Sequence, residues 1–559
     1  MTALLLGGVQ VATPAAGAAD PVTAHLQKLA EVGKHLEQAL SPVRQKALSA
    51  GGQQLLTIAD KSADIVKAAK AGVHGNRSGP KALPQGFAND AFAAEDSVSR
   101  LTGMTQSETT AAWCGRNALI GFNDSGSFAA TLFLAASPSG SLSFNGWSRS
   151  TDAGASYTDQ GAVLADPLPT GVMFRDLLGD PVLGCTSSST FYYASLATDT
   201  APGFTSVSSG IAVSISTDQG AAFGHTVMAV AKDANTHFLD KPWMAVAPGP
   251  TAAPTDDVLH VTYTDFDFSG TSPSCPNDFR TAIEHVRSTD GGASWSAPQV
   301  IEETCGAPFE QGSQVEVGLG SDVYVAWEHF AGDFQTRDIR IARSTDGGAS
   351  FASPTTVTAV TPIGDSFELQ GNFRAFLDLQ GLAVDRSSGS SRGNVYLSFQ
   401  DGSNRSKPDP FGFCGNQPKY CFGDILLTRS TSAAASWSAP VRVNDDPITL
   451  GIDQYMPALD VDRSGNLWVG FYDRRRDSRN FLIDTFAAKS SDAGTTWTNT
   501  RATQSNFGPI TGWEDFVVNP SYMGDYLAVA ADALGSGPGV IVAWGDNSLG
   551  DANVLQRRF

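Results

Sequence analysis

One octet returns along this chain and limits what it can fold into. STDGGASW occupies residues 288–295 and STDGGASF residues 344–351. STDAGASY begins at Ser150, STDQGAAF at Ser216 and SSDAGTTW at Ser490, while STSAAASW at Ser430 keeps the frame with Ser432 and Ala434 in place of Asp and Gly. A motif this tight, separated by unrelated sequence, marks one supersecondary unit used many times. Its third positions, Asp152, Asp218, Asp290, Asp346, Ser432 and Asp492, lie 66, 72, 56, 86 and 60 residues apart. That spacing is too long for small helical repeats and suits a four-stranded sheet with variable loops, the blade of a β-propeller.

The octet reads as a hairpin turn. An Asp carboxylate accepts N–H bonds from the residues that follow it, and a Gly two positions on takes positive φ without Cβ strain. The eighth residue is always aromatic (Tyr157, Phe223, Trp295, Phe351, Trp437, Trp497) and is expected to open the next strand and pack into the core. Two strand-like runs precede each octet, as in VLHVTYTD with AIEHVRS, and a small apolar run precedes those. Counting the first runs gives seven units, at TTAAWCG, PVLGC, PWMAV, SQVEV, GLAVD, PALDV and YLAVAAD. The seventh has no octet, so its fourth strand must come from elsewhere, and the segment around DSVSRLTG (96–103) is the expected donor. This closes the ring and removes the exposed edges. Seven blades are favoured, with six the alternative if a terminal unit is not a full sheet.

The pattern S-x-D-x-G-x-[ST]-[WFY] resembles the Asp-box, or BNR repeat, of the sialidase superfamily and related secreted bacterial propellers, over roughly residues 95–559. The DKPW, MPAL-VD-SGN and YDRR stretches strengthen that resemblance. What it implies is an architecture, because Asp-boxes are shared by sialidases, other glycoside hydrolases and binding proteins.

The expected organisation is a signal-peptide-like segment at 1–19, where ALLLGGVQVA precedes an AGA cleavage pattern; a helical segment at 20–71 with i, i+3, i+4 apolar spacing; a linker at 72–94; and the propeller at 95–559. The helical segment reads as a prodomain, a spacer or a means of association for an otherwise monomeric protein. A net charge of −20 disfavours nucleic acid and anionic membrane surfaces as partners, and no run reaches the length of a membrane span. Six cysteines suit export to a secreted, periplasmic or cell-surface location, with Cys114–Cys185, Cys275–Cys305 and Cys414–Cys421 the expected pairs.

Chemistry is expected on the face away from the octets. Leading into successive first strands come Glu108, Asp180, Asp240, Gln311, Asp378, Asp453 and Asp525. Carboxylates converging on one channel mouth repel, which raises some pKa values or recruits a cation. Each Asp can instead cap a turn in its own blade. No cofactor is required on this reading. Ca2+ through carboxylate oxygens is the one metal considered, without an EF-hand-like loop to support it.

The sialidase resemblance implies three arginines on a sugar carboxylate, a Tyr nucleophile with a Glu behind it, and an Asp acid. The candidates are Arg175, Arg374 and Arg474 as the clamp, all expected in loops, Tyr526 as nucleophile with Glu328 to activate it, and Asp240. The family's R-I-P motif is absent, and MFRD shares with it only Phe174 and Arg175. Two readings stand: an exo-glycosidase acting on terminal acidic sugars, or a non-catalytic propeller that binds glycan or protein.

Overall fold

The structure, a computed structural model, describes residues 21–71, 91–94, 105–133, 137–364, 368–371, 373–408, 420–509, 524–535, 539–548 and 552–559. Seven antiparallel sheets stand around one axis. Their innermost strands are Gln106–Cys114 in blade 1, Phe174–Leu177 with Val182–Cys185 in blade 2, and His237–Ala247 in blade 3. Phe309–Val317, Leu379–Val384, Gln454–Val461 and Ala528–Ala531 follow in blades 4 to 7. Blade 2 departs from the others because Gly179, Asp180 and Pro181 interrupt its inner strand, and both halves pair with Phe191–Thr200.

The ring closes as the missing octet required, with one correction. The fourth strand of blade 7 is Ala91–Ala94, paired with Asn553–Arg558, a few residues earlier than the segment around 96–103. The uncharged run AFAA suits a ladder position, whereas Glu95 and Asp96 follow it immediately. Residues 95–104 lie outside those described.

The octets hold neighbouring blades together. In the third copy, Ser288 Oγ donates to Asp290 Oδ1 at 2.7 Å, Gly292 N donates to Ser288 Oγ at 2.8 Å and Ser294 N donates to Asp290 Oδ1 at 2.9 Å. The fifth residue takes positive φ in every copy, from Gly154 (81°) to Gly494 (83°), and Ala434 does so at 69°. A Cβ on Gly154 would approach Ile541 of blade 7 to 2.7 Å, and one on Gly220 would approach Leu119 of blade 1 to 2.5 Å. Glycine is therefore required both for the turn and for the close fit to the preceding blade. An arginine on that preceding blade completes the joint: Arg149 donates to Gln219 O, Arg287 to Gly347 O, Arg429 to Ala493 O and Arg558 to Ala153 O.

Between blades lie separate apolar clusters, such as Leu119, Tyr193 and Phe223 between blades 1 and 2, or Leu397, Phe399 and Ile341 between blades 4 and 5. The aromatic eighth residues Phe223, Trp295 and Trp437 join these clusters. Burying each such side chain contributes about 1.5–3 kcal/mol. Two of the expected disulfides are formed. Cys114–Cys185 ties the inner strands of blades 1 and 2, and Cys275–Cys305 closes the edge of blade 3. Cys421 is disulfide-bonded, and Cys414 lies outside the described residues.

The N-terminal segment is helical: α1 spans Pro21–Ala39, α2 Pro42–Lys46 and α3 Ala50–Ala71. It does not stand apart from the propeller. Leu26, Leu29, Leu36, Leu55 and Ile58 share one core with Leu178, Leu196 and Phe238 of blades 2 and 3. Buried His25 bonds Asp176 at 2.8 Å and stacks on Phe174.

Candidate functional site

At one end of the channel the inner strands carry a repeated irregularity. The register slips between Ser107 and Thr110, Asp240 and Trp243, Gln311 and Gln314, and Tyr455 and Ala458. The extra residue takes positive φ at Glu108 (52°), Lys241 (51°), Gly312 (68°) and Met456 (52°), and Asp180 (55°) holds the comparable place in blade 2. A bulge re-aims the side chain it carries. Here it turns Glu108, Asp180 and Lys241 toward one another across three blades, on the face away from the octets.

Lys241 lies at the centre. Its ammonium forms a short ion pair with Asp525 of blade 7 and lies 3.8 Å from Glu108 of blade 1. Burial disfavours the charged ammonium, but Asp525, Glu108 and Asp180 outweigh it and raise the pKa. Arg374 reaches the same Asp525 at 3.2 Å. Asp525 N donates to Glu108 Oε1 and Asn123 Nδ2 donates to Glu108 Oε2, at 2.9 and 2.8 Å. Tyr526 donates to Pro181 O at 3.2 Å and packs its ring against Trp243. Burial, followed by the nearby Glu108 and Asp180, pushes its phenol pKa well up.

Two carboxyl groups beside this cluster are held toward the neutral acid. Burial raises Asp180 well above the usual range, with Glu108 adding to it. Among the described residues neither Asp180 oxygen has a well-aligned hydrogen bond, and the Lys241 ammonium, followed by the hydroxyl of Ser49, offsets part of the effect of burial. Burial also raises Asp240. Its Oδ2 accepts from Gln311 Nε2 at 2.8 Å and from Ser49 N at 3.1 Å, while Oδ1 has no partner among the described residues. Beneath lies a small cavity of about 20 Å³, lined by Asp180, Lys241, Trp243, Gln314, Asp525 and Tyr526.

The expected site residues therefore divide. Arg374, Asp240 and Tyr526 come to this mouth. Arg175 lies on the strand Phe174–Leu177 rather than in a loop, because that segment pairs with Ala197–Thr200. Its fork grips Asp199 through two bonds of 2.7 Å. Arg474 follows the strand Leu467–Asp473, is fully buried, donates to Asn480 O at 2.9 Å and lies over Tyr455. Glu328 accepts from Asp378 N at 2.9 Å and lies 3.4 Å from Arg337, which also bonds Asp378 at 2.6 Å. Burial, with Asp378 beside it, raises Glu328. Among the described residues the three arginines thus have three separate sets of partners.

Lys241 was not singled out from the sequence, where DKPW reads as a turn corner. Its signal is a lysine beside Asp240 at the first strand of a blade. Tyr522, which with Tyr526 precedes the last first strand in the sequence, lies outside the described residues. No group of three or more His, Cys, Asp or Glu among the described residues is placed to hold a metal ion, and no described helix is long and apolar enough to cross a membrane.

No protein-family model matches the sequence, and no curated protein matches it. Among solved structures, the chain is similar to a Hadza microbial sialidase (13% identity, 69% of this chain and 66% of that one, TM-score 0.39). It is also similar to an ulvan lyase (8%, 84% and 94%, TM-score 0.44) and to an α-L-arabinofuranosidase of Fusarium graminearum (11%, 69% and 92%, TM-score 0.41). The chain spans about two thirds of the sialidase. At these values the likenesses carry no information on this chain's chemistry.

Proposed function

We propose that the protein is a secreted, glycan-acting propeller that hydrolyses terminal acidic sugars at the mouth formed by Glu108, Asp180, Asp240, Lys241, Arg374, Asp525 and Tyr526. One observation carries this reading: two cations, Lys241 and Arg374, meet at the axis beside two carboxyl groups that burial holds toward the protonated form. An anionic sugar needs the first feature and departure of a glycosidic oxygen needs the second.

In this reading Arg374 and Lys241 exchange Asp525 for the sugar carboxylate. Asp240 gives its proton to the departing oxygen. The oxygen of Tyr526 attacks the anomeric carbon as a neighbouring carboxylate, Glu108, takes the phenol proton; water that gives a proton to Asp240 then displaces the tyrosine oxygen from that carbon, and the oxygen recovers its proton from Glu108. Arg175 and Arg474, whose guanidinium groups are engaged within their own blades, are left out of the clamp. Export agrees with disulfides formed between and within blades, which persist in oxidising compartments.

A second reading, a non-catalytic propeller that binds glycan or protein, is favoured by one feature. Asp240, Gln311 and Arg374 all bond backbone groups of residues 47–49. Release of the fluorophore from an aryl sialoside, measured between about pH 4 and 7 where an acid catalyst and a clamped anion coexist, separates the two. Hydrolysis that Asp240→Asn removes while binding persists supports the enzyme. Binding without turnover supports the second reading.

A further inference from the structure

The ionisable groups of the mouth are almost sealed: Asp240 is 0% exposed, Glu108, Asp180 and Asp525 1%, and Lys241 5%. The groups lying over them are the junction of α2 and α3. Its residues Ala47, Leu48 and Ser49 are wholly buried. Three consecutive residues there are held by three side chains of the mouth. Gln311 Nε2 donates to Ala47 O at 3.2 Å, Arg374 Nη2 donates to Leu48 O at 2.7 Å, and Ser49 N donates to Asp240 Oδ2 at 3.1 Å. Those side chains belong to blades 3 and 4 and to the short hairpin before blade 5.

The turn is shaped to reach this depth. Ala47, Ser49, Ala50, Gly51 and Gly52 carry the smallest side chains available. A Cβ on Gly51 would meet Leu196 Cδ1 at 2.3 Å and Leu178 O at 2.6 Å. Asp240 sits at the N-terminus of the 22-residue helix α3, where unpaired N–H groups favour a carboxylate.

The fit is nevertheless incomplete from the side of the mouth. Both oxygens of Asp180 and Oδ1 of Asp240 are buried without a well-aligned hydrogen bond among the described residues. A buried polar group left unpaired costs free energy that a better-matched occupant would recover. The cavity beneath, about 20 Å³ beside Lys241 and Asp525, has room for about one water.

We propose that the hairpin of α1, α2 and α3 is an exchangeable occupant of the mouth, its Ala47–Gly52 turn standing where a ligand binds, so that ligand and turn exclude one another. This rests on the reading of the mouth as the ligand site. The turn presents two carbonyls and one N–H to Arg374, Gln311 and Asp240, the same donors and acceptor that would meet a sugar's carboxylate and hydroxyls. Release of the turn removes the Leu48 O bond from Arg374 and uncovers Lys241 together.

The test is acylation of Lys241 in the folded full chain, read by peptide mass spectrometry against exposed Lys407. Two variants release the turn by different means: Gly51→Leu by clash with Leu196 and Leu178, and Ser49→Asp by placing a third carboxyl group against Asp180 and Asp240. In the parent protein Lys241 reacts more slowly than Lys407, held back by its ion pairs with Asp525 and Glu108 as well as by the turn, and in both variants its rate rises about tenfold or more over the parent while the sheet still melts cooperatively. Three results overturn the proposal: a Lys241 that is already reactive in the parent, one that stays protected in both variants, or loss of cooperative melting in both, since the hairpin would then be part of the fold. Addition of N-acetylneuraminate to the released variants should protect Lys241 again. Failure of that protection alone contradicts the acidic-sugar reading and leaves the exclusion by the hairpin standing.

Discussion

The backbone N–H of Ser49 donates to Oδ2 of Asp240 at 3.1 Å, joining residues 191 apart in the sequence. Through this bond the first turn of α3 rests on the acid that the proposed chemistry needs. The candidate site and the N-terminal segment are therefore one structural problem.

The arginines provide the first prediction. Lysine at position 374 keeps the charge but cannot reach both Asp525 and Leu48 O with a planar fork. Arg374→Lys should lower turnover of an acidic glycoside by orders of magnitude, about 100-fold or more, in protein that still melts cooperatively. Arg175→Lys should do the reverse. It breaks the two-pronged bond to Asp199, costs about 1–3 kcal/mol of stability, and leaves the turnover of the folded protein as it was. Kinetics and denaturant melts on the two variants check this.

The decayed octet provides a second. Ala434 sits at φ 69° where five sister copies have glycine, and a Cβ there is strained by about 1 kcal/mol. Ala434→Gly should raise stability by up to that amount, less whatever packing its methyl group provides beside Trp437. A shift of the denaturant midpoint to lower concentration would show that packing outweighs the strain.

The repeat made the blades, their number and two disulfide pairs legible, because an octet fixes a turn and a turn fixes the strands on either side. The arginine that bonds the neighbouring turn was equally visible, as in the RS of VRSTDGG and TRSTSAA. Its role is invisible until the blades are placed side by side. At the site, Asp240 could be enumerated from the frame of the repeat, and Arg374 and Tyr526 were implied by the sialidase resemblance. Their meeting could not, since it depends on bulges that turn Glu108 and Lys241 inward against ordinary backbone preference. The docking of Ala47–Gly52 was hidden for a different reason: small residues between two helices read as a loop, and only the surface they enter gives them a role.

Asp124 tests the electrostatics of burial. Burial raises its carboxyl pKa to about 7 despite the bonds from Ser127 and Gly126. The folded state thus holds a proton that the unfolded state releases above the ordinary carboxylate range. The associated stability is fully present below about pH 4 and is lost as pH rises toward 7. Asp124→Asn should flatten this decline while keeping a cap for the helix Ser125–Phe133. Melting midpoints at several pH values between 4 and 8 would show an unchanged slope if Asp124 is not responsible.

The disulfide between Cys114 and Cys185 closes a loop of 71 residues between the inner strands of blades 1 and 2. Its removal by paired serine substitution should cost about 2–4 kcal/mol. Thiol titration of the denatured parent protein without reductant should detect neither of these cysteines nor Cys275 and Cys305. Four reactive thiols at these positions would contradict the pairing.

The most direct measurement of the central claim is aryl sialoside hydrolysis by Gly51→Leu compared with the parent and with Gly51→Leu/Asp240→Asn. If the mouth is the active site and the hairpin its occupant, releasing the turn raises turnover by about tenfold or more, and removing the acid then lowers it by orders of magnitude. Equal turnover in parent and released protein, or hydrolysis that survives loss of the Asp240 carboxyl, would place the chemistry elsewhere.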